Sequence, residues 1–222
     1  MGIFKRNLTS EILEEQASRV ISEFKRPISI LEVGCGDGNI SRNLAQKFPD
    51  NLYHASDISE ESIASAKNKN TNNPIDFKVS NGIDEWLDSK FDLIICDISA
   101  ISEVVADLSD WYEGVSCETG KDGLRIVLDV IKNVNKIMNK KSCFIMPVIS
   151  LCNIRLQEDS LYQNFSSVKY SKRKEWPLPK DLLLKFKENS VDLDSDFLDV
   201  KEKFGMVIAY TCSAKCYNYV QE

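Results

Sequence analysis

Residues 30–41 read Ile-Leu-Glu-Val-Gly-Cys-Gly-Asp-Gly-Asn-Ile-Ser, an apolar strand running into a glycine-dense turn that opens a helix. Gly34, Gly36 and Gly38 stand at alternate positions. Glycine tolerates positive φ and leaves main-chain amides uncovered, so a ligand can lie against the backbone itself. At the carboxyl end of a first parallel strand, a turn of this kind is where doubly wound α/β sheets hold nucleotides. Taken alone, the motif also suits a plain tight turn between strand and helix.

The surroundings narrow the reading. The spacing is G-x-G-x-G, not the G-x-G-x-x-G of dinucleotide sites, and an acid, Glu32, precedes the first glycine. A pyrophosphate seeks the free amides of a helix N-terminus and is repelled by carboxylates. A cationic ligand without phosphate is drawn to them. The next apolar run, Leu-Tyr-His-Ala-Ser-Asp, ends on Asp57, about 20 residues past the turn, where an acid grips a ribose diol. Ribose without phosphate, beside an acidic loop, points to S-adenosylmethionine rather than NAD.

The remaining pattern alternates strands and helices. A helix is expected in an amino-terminal extension over residues 1–26, with Ser10 as its cap and Ile12, Ala17, Val20, Ile21 and Phe24 at helical spacing. Strands are expected at 28–33, 52–56, 75–80, 91–96, 142–148, 166–173 and 206–214. Helices are expected from the glycine turn to Phe48, from Ser59 onward, at 122–139 and at 153–164. Alternating β and α with apolar strands predicts an α/β fold, a Rossmann-like doubly wound sheet covered on both faces. Residues 175–204 form a longer connection than a hairpin needs, either a lid or a packed surface excursion.

Glu32-Val33-Gly34-Cys35-Gly36-Asp37-Gly38 resembles the first motif of the class I S-adenosylmethionine-dependent methyltransferases, and Asp57 falls on their second. The resemblance covers roughly residues 28 to 150. It implies a seven-stranded sheet, parallel except for an antiparallel last strand, within one domain over residues 1–222. It also implies a set of cofactor contacts: Glu32, Gly34, Cys35, Gly36 and Gly38 at the methionine and ribose, Asp57 and Ile58 at the ribose hydroxyls, Asn81 and Gly82 at the adenine. Phe91-Asp92-Leu93-Ile94-Ile95-Cys96-Asp97 matches the family's fourth strand, which places Asp97 beside the transferable methyl group as both a cofactor contact and the catalytic residue. Ser99, Trp111, Tyr112 and Glu118 are the candidates for holding the acceptor. Asp97-Ile98-Ser99-Ala100 stands where the HemK-like protein-glutamine methyltransferases carry Asn-Pro-Pro-Tyr, and the chain departs from that motif. Each residue also has a plainer reading: Asp97 and Ser99 as caps, Trp111 and Tyr112 as core, Arg125 in a surface ion pair, His54 packed within its strand.

The function implied is methyl transfer to a small-molecule acceptor. The alternatives are a glutamine-type protein side-chain methyltransferase and a cofactor-binding subunit without activity of its own. Composition fits these classes and excludes others. At 222 residues the chain suits one domain. No stretch reaches the roughly 18 uncharged apolar residues a membrane span needs, and Met1 to Asn7 lack a signal-peptide core. Seven cysteines without a C-x-x-C pair, beside one histidine, predict neither disulfide frame nor metal site, and a reducing cytoplasm as the location. A net charge of −6 argues against a nucleic-acid partner. The run Lys169 to Lys174 would split its charges between two strand faces.

Overall fold

The computed structural model describes residues 7–69, 73–112 and 118–218. In chain order these form α1 (Leu8–Glu23), β1 (Ser29–Val33), α2 (Asn39–Lys47), β2 (Leu52–Asp57), α3 (Glu60–Asn68), β3 (Ile75–Val79), β4 (Phe91–Cys96), α4 (Glu103–Leu108) and α5 (Arg125–Asn133). There follow β5 (Met138–Ile149), α6 (Ile154–Asn164), β6 (Ser167–Tyr170), β7 (Lys174–Pro177), α7 (Lys180–Glu188), β8 (Lys201–Lys203) and β9 (Met206–Tyr217). The strand order is β3-β2-β1-β4-β5-β9-β6, with β7 and β8 also pairing β9. The first five strands are mutually parallel, and β9 runs antiparallel to β5 and β6.

Alternate residues of the central strands enter opposite cores, as period-two geometry requires. Ile30, Leu93, Ile95, Cys143 and Ile145 meet Leu13, Ala17 and Val20 of α1 and Ile40 and Leu44 of α2. Leu31, Ile94, Phe144 and Met146 meet Val127, Val130 and Ile131 of α5 and Leu161 of α6. Burial on both faces is why these strands read as unbroken apolar runs. His54 lies edge-on to Trp86 and Phe91, with centroids 5.5 and 5.3 Å away, and burial holds its pKa below the usual value.

Three expectations need correction. The expected seven-strand order is present but the sheet has nine strands among the described residues: the run expected at 166–173 is β6 alone, and β7 starts beyond it at Lys174, both laid along β9. The other edge of β9 outlasts β5 and takes β8. The helix expected at 122–139 ends at Asn133, and a 3-10 turn, Val134–Ile137, carries its apolar spacing straight into β5. Asn7, not Ser10, caps α1, its side chain accepting from the amides of Thr9 and Ser10.

Residues 175–204 are packed down. Leu178, Leu182, Phe186 and Leu198 share a core with Ile101, Val105 and Leu151. The Asp199 amide donates to the Ser150 carbonyl at 2.8 Å, and the Tyr210 hydroxyl donates to Asp199 Oδ2 at 2.6 Å. Among the described residues, no helix is long and apolar enough to cross a membrane.

The β8–β9 hairpin turns on Phe204 and Gly205, at φ +52° and +70°. A bulky side chain in the left-handed region is strained, and Phe204 is 95% exposed, so packing offsets none of the cost. Phe204→Asn creates the Asn-Gly pair that two-residue hairpins favour. Stability should rise by about 0.5–1 kcal/mol, read as a higher melting temperature.

Candidate cofactor and acceptor site

The strand order reverses between β1 and β4, and open parallel sheets bind ligands outside the carboxyl ends at such a point. Val33 of β1 is in register with Ser56 of β2 on one side and Cys96 of β4 on the other. The residues that follow these strands therefore converge: Gly34 after β1, Asp57 ending β2, and Asp97 after β4. The turn is fixed by the amides of Gly34 and Cys35, which both donate to the Ser56 carbonyl at 2.8 and 2.9 Å.

Three glycines at φ +80°, +51° and +77° make the turn, and the structure divides their duties. A Cβ on Gly34 would stand 2.9 Å from the Ile98 backbone nitrogen, and one on Gly38 2.8 Å from the Phe77 ring. Crowding by the protein itself demands those two. A Cβ on Gly36 would meet nothing within 4 Å, so of the three only Gly36 has open space beside its backbone.

Asp57 is oriented from two sides. Its Oδ2 accepts from the Gly36 amide at 2.8 Å and its Oδ1 from the Ser59 amide at 2.9 Å. Glu32, only 1% exposed, accepts from the amide of Ser41 at 2.9 Å and from its hydroxyl. Burial, with repulsion from Asp97 and Asp57 against the Ser41 hydrogen bonds, pushes its carboxyl up to about 8. Asp97 Oδ2 accepts from the Ser10 hydroxyl at 2.8 Å. Burial lifts the Asp97 carboxyl to about 7, the Ser10 hydrogen bond opposing and Asp57 adding to the rise.

These residues line one cavity. Its lining holds five carboxylates, Glu32, Asp37, Asp57, Asp97 and Glu118, and no lysine, arginine or histidine among the described residues. Asp37 is already paired with Lys69 and stands 3.8 Å from Arg42. The carboxyls without a cationic partner, Glu32, Asp57 and Asp97, lie between the glycine turn and the end of β4, and a cation seated there would favour ionisation of the raised Glu32 and Asp97.

Residues 31–123 match the family model of a methyltransferase domain. The YcgJ protein of Bacillus subtilis superposes with a TM-score of 0.57 at 11% identity, covering 93% of this chain and 99% of that one. The fold is that of a class I methyltransferase.

Curated relatives match over shorter stretches. A malonyl-[acyl-carrier protein] O-methyltransferase of Priestia megaterium is 32% identical over 92 residues, 39% of this chain and 33% of the relative. A trans-aconitate 2-methyltransferase of Mycolicibacterium gilvum is 29% identical over 83 residues, 32% of each. The chain thus spans about a third of the length of the curated relatives it matches.

Within the methyltransferase fold, the sequence-derived candidates separate. Glu32, Gly34, Cys35, Gly36, Asp57, Ile58, Asp97, Ser99 and Glu118 line the cavity. Gly38 stands just behind it as the left-handed cap of α2. Asn81, Gly82, Trp111 and Tyr112 fall outside the lining. Trp111 instead packs edge-on to Trp176, centroids 5.7 Å apart, and Tyr112 joins the core beneath α7. The fold brings in one residue that sequence reasoning assigned elsewhere. Ser10 shares the buried face of α1 with Leu13 and Ala17, and a polar residue on that apolar stripe was the available signal.

Proposed function

We propose that the chain is an S-adenosylmethionine-dependent methyltransferase acting on a small-molecule acceptor. The observation that carries this is the open backbone at Gly36 joined to Asp57 by a hydrogen bond, within a cavity lined by acids. The matched domain family and the names of the curated relatives agree with it. The cavity suits the cofactor chemically: a sulfonium and an ammonium meet carboxylates, and a ribose diol meets Asp57. When bound, the cofactor supplies a methyl group on a positively charged sulfur, which keeps the bonding pair as the methyl leaves.

The chain's own residues do the rest. Gly36 yields room for a ligand at the main chain, and Asp57 is held ready to accept two hydroxyl hydrogen bonds. Ile58, 65% exposed at the rim, offers an apolar surface for a flat ring of the cofactor to cover. Asp97, at the carboxyl end of β4, faces the acceptor and takes its proton. Such catalysis is mostly positioning and exclusion of water.

Titration calorimetry should show S-adenosylmethionine and S-adenosylhomocysteine binding at micromolar strength and NAD not binding. The reverse ranking would remove the reading. A protein side-chain acceptor or a non-catalytic subunit would show the same binding. Those two outcomes separate when the chain alone is given labelled cofactor and a metabolite extract freed of protein.

A further inference from the structure

We propose that the acceptor is an amine and that the cavity turns carboxylate acceptors away. The inference rests on the methyltransferase reading of the same cavity and adds the acceptor's chemical class. It follows from what the acceptor side offers and what it has already used.

Beyond Asp97, that side is lined by Ile98 and Ser99 from the end of β4, by Ser10 from α1, and by Glu118 and Thr119 from across the cleft. Two of its three hydroxyls are spent. The Ser10 hydroxyl donates to Asp97, and the Thr119 hydroxyl donates to the Ile101 carbonyl at 2.5 Å. The neighbouring guanidinium is spent as well. Arg125 donates through Nε and Nη2 to the Glu118 carbonyl oxygen at 3.0 and 2.7 Å, and through Nη2 to Glu118 Oε2 at 2.8 Å. Lys69 is engaged with Asp37, and Arg42, outside the lining, stands 3.8 Å from Asp37 and leaves its buried Nη1 without a hydrogen-bond partner.

What remains is the Ser99 hydroxyl and a larger set of oxygen acceptors, on Asp97 and Glu118. A carboxylate placed on the acceptor side needs charge-assisted donors, and there it would meet Asp97 and Glu118 with no described cation in the lining. An amine brings N–H donors to a wall of acceptors. In the reaction the neutral amine's lone pair would form the new bond to the methyl carbon as the carbon–sulfur bond breaks with its pair left on sulfur, and the proton the nitrogen then loses passes to the Asp97 carboxylate. That carboxyl, lifted to about 7 by burial, exchanges a proton readily near neutral pH.

The test uses two ligands that differ in one group. Each is adenosine with a tertiary nitrogen at its 5′ carbon, bearing the amino-acid arm and a short chain. The chain ends in an ammonium in one and in a carboxylate in the other. Calorimetry at pH 8 and low salt should find the ammonium-ended ligand at least tenfold tighter. Glu118→Gln, at an exposed position, should narrow the gap without lowering S-adenosylhomocysteine affinity. Equal binding, or preference for the carboxylate, overturns the inference while leaving the methyltransferase reading intact. Failure of S-adenosylhomocysteine itself to bind removes both.

Discussion

Gly34→Ala should leave little folded protein, whereas Gly36→Ala should fold and lose the cofactor. Both positions lie at positive φ, so each alanine carries a backbone cost of about 1–2 kcal/mol. The difference lies in what the new methyl group meets. At position 34 it stands 2.9 Å from the Ile98 amide nitrogen and 3.1 Å from the Asp97 carbonyl carbon. Those are main-chain atoms fixed by the Asp97 amide, which donates to the Val33 carbonyl at 2.8 Å. Overpacking there adds about 1–3 kcal/mol, and a total of about 2–5 kcal/mol consumes much of an ordinary domain's stability. At position 36 the methyl enters open space, so the fold loses only the backbone cost. The same methyl occupies the surface a ligand would lie on, and S-adenosylhomocysteine affinity should fall about 100-fold, equivalent to about 2.7 kcal/mol. Thermal unfolding and calorimetry on the two variants separate the effects. Undiminished binding by Gly36→Ala would show that the ligand does not rest on the turn.

Thermal stability should fall as pH rises from 6 to 9, and Glu32→Gln should flatten much of that fall. The carboxyls of Glu32 and Asp97 begin from ordinary values of 4.5 and 3.8. In the folded chain, chiefly through burial, they are raised to about 8 and about 7. The folded state therefore binds more protons than the unfolded state between those limits, and stability declines with pH there. The contribution is complete below the unfolded values and is lost as pH passes about 7 for Asp97 and about 8 for Glu32. Since each pKa unit corresponds to about 1.4 kcal/mol, the loss is on the order of several kcal/mol, or roughly 5–10 °C for a chain of this size. Glutamine at position 32 keeps an oxygen for the Ser41 donors and cannot ionise. A pH-independent melting temperature in the native protein would show that neither group is strained by ionisation. S-adenosylmethionine, with its cationic sulfur, should recover more of the stability lost at pH 8.5 than S-adenosylhomocysteine does.

The parallel half of the sheet was legible because its code is local. Apolar runs such as Phe91 to Cys96 stop at polar turns, and Ser59 caps α3 as its sequence predicts, accepting from the Ser62 amide at 3.1 Å. The antiparallel half was less so, since a strand's length depends on partners distant in sequence. The 206–214 reading of β9 stopped three residues early because Lys215 interrupts the apolar pattern. β5 was read four residues late because Asn139, Lys140 and Lys141 mask its polar start. At the site, the glycines and Asp57 were readable from spacing. Ser10 was not, because Ser at a helix start ordinarily caps it, and only the rotation of α1 against β4 and β5 turns that hydroxyl toward Asp97. The packing of Trp111 against Trp176 likewise depends on the 175–204 excursion, whose course no short-range pattern encodes.

The twelve residues of β9 are hydrogen-bonded to four other strands, two along each edge. Synthesis delivers this element after every one of its partners. The growing polypeptide can therefore assemble β1 to β5 early, while β6 and β7 wait with unsatisfied edges for a strand still inside the ribosome. Closure joins segments far apart along the chain, a slow kind of step, and the waiting edges are sticky in the interval. Expression at lowered temperature, or with a holding chaperone, should raise the yield of correctly closed molecules more than it would for a fold whose last element lies at the rim.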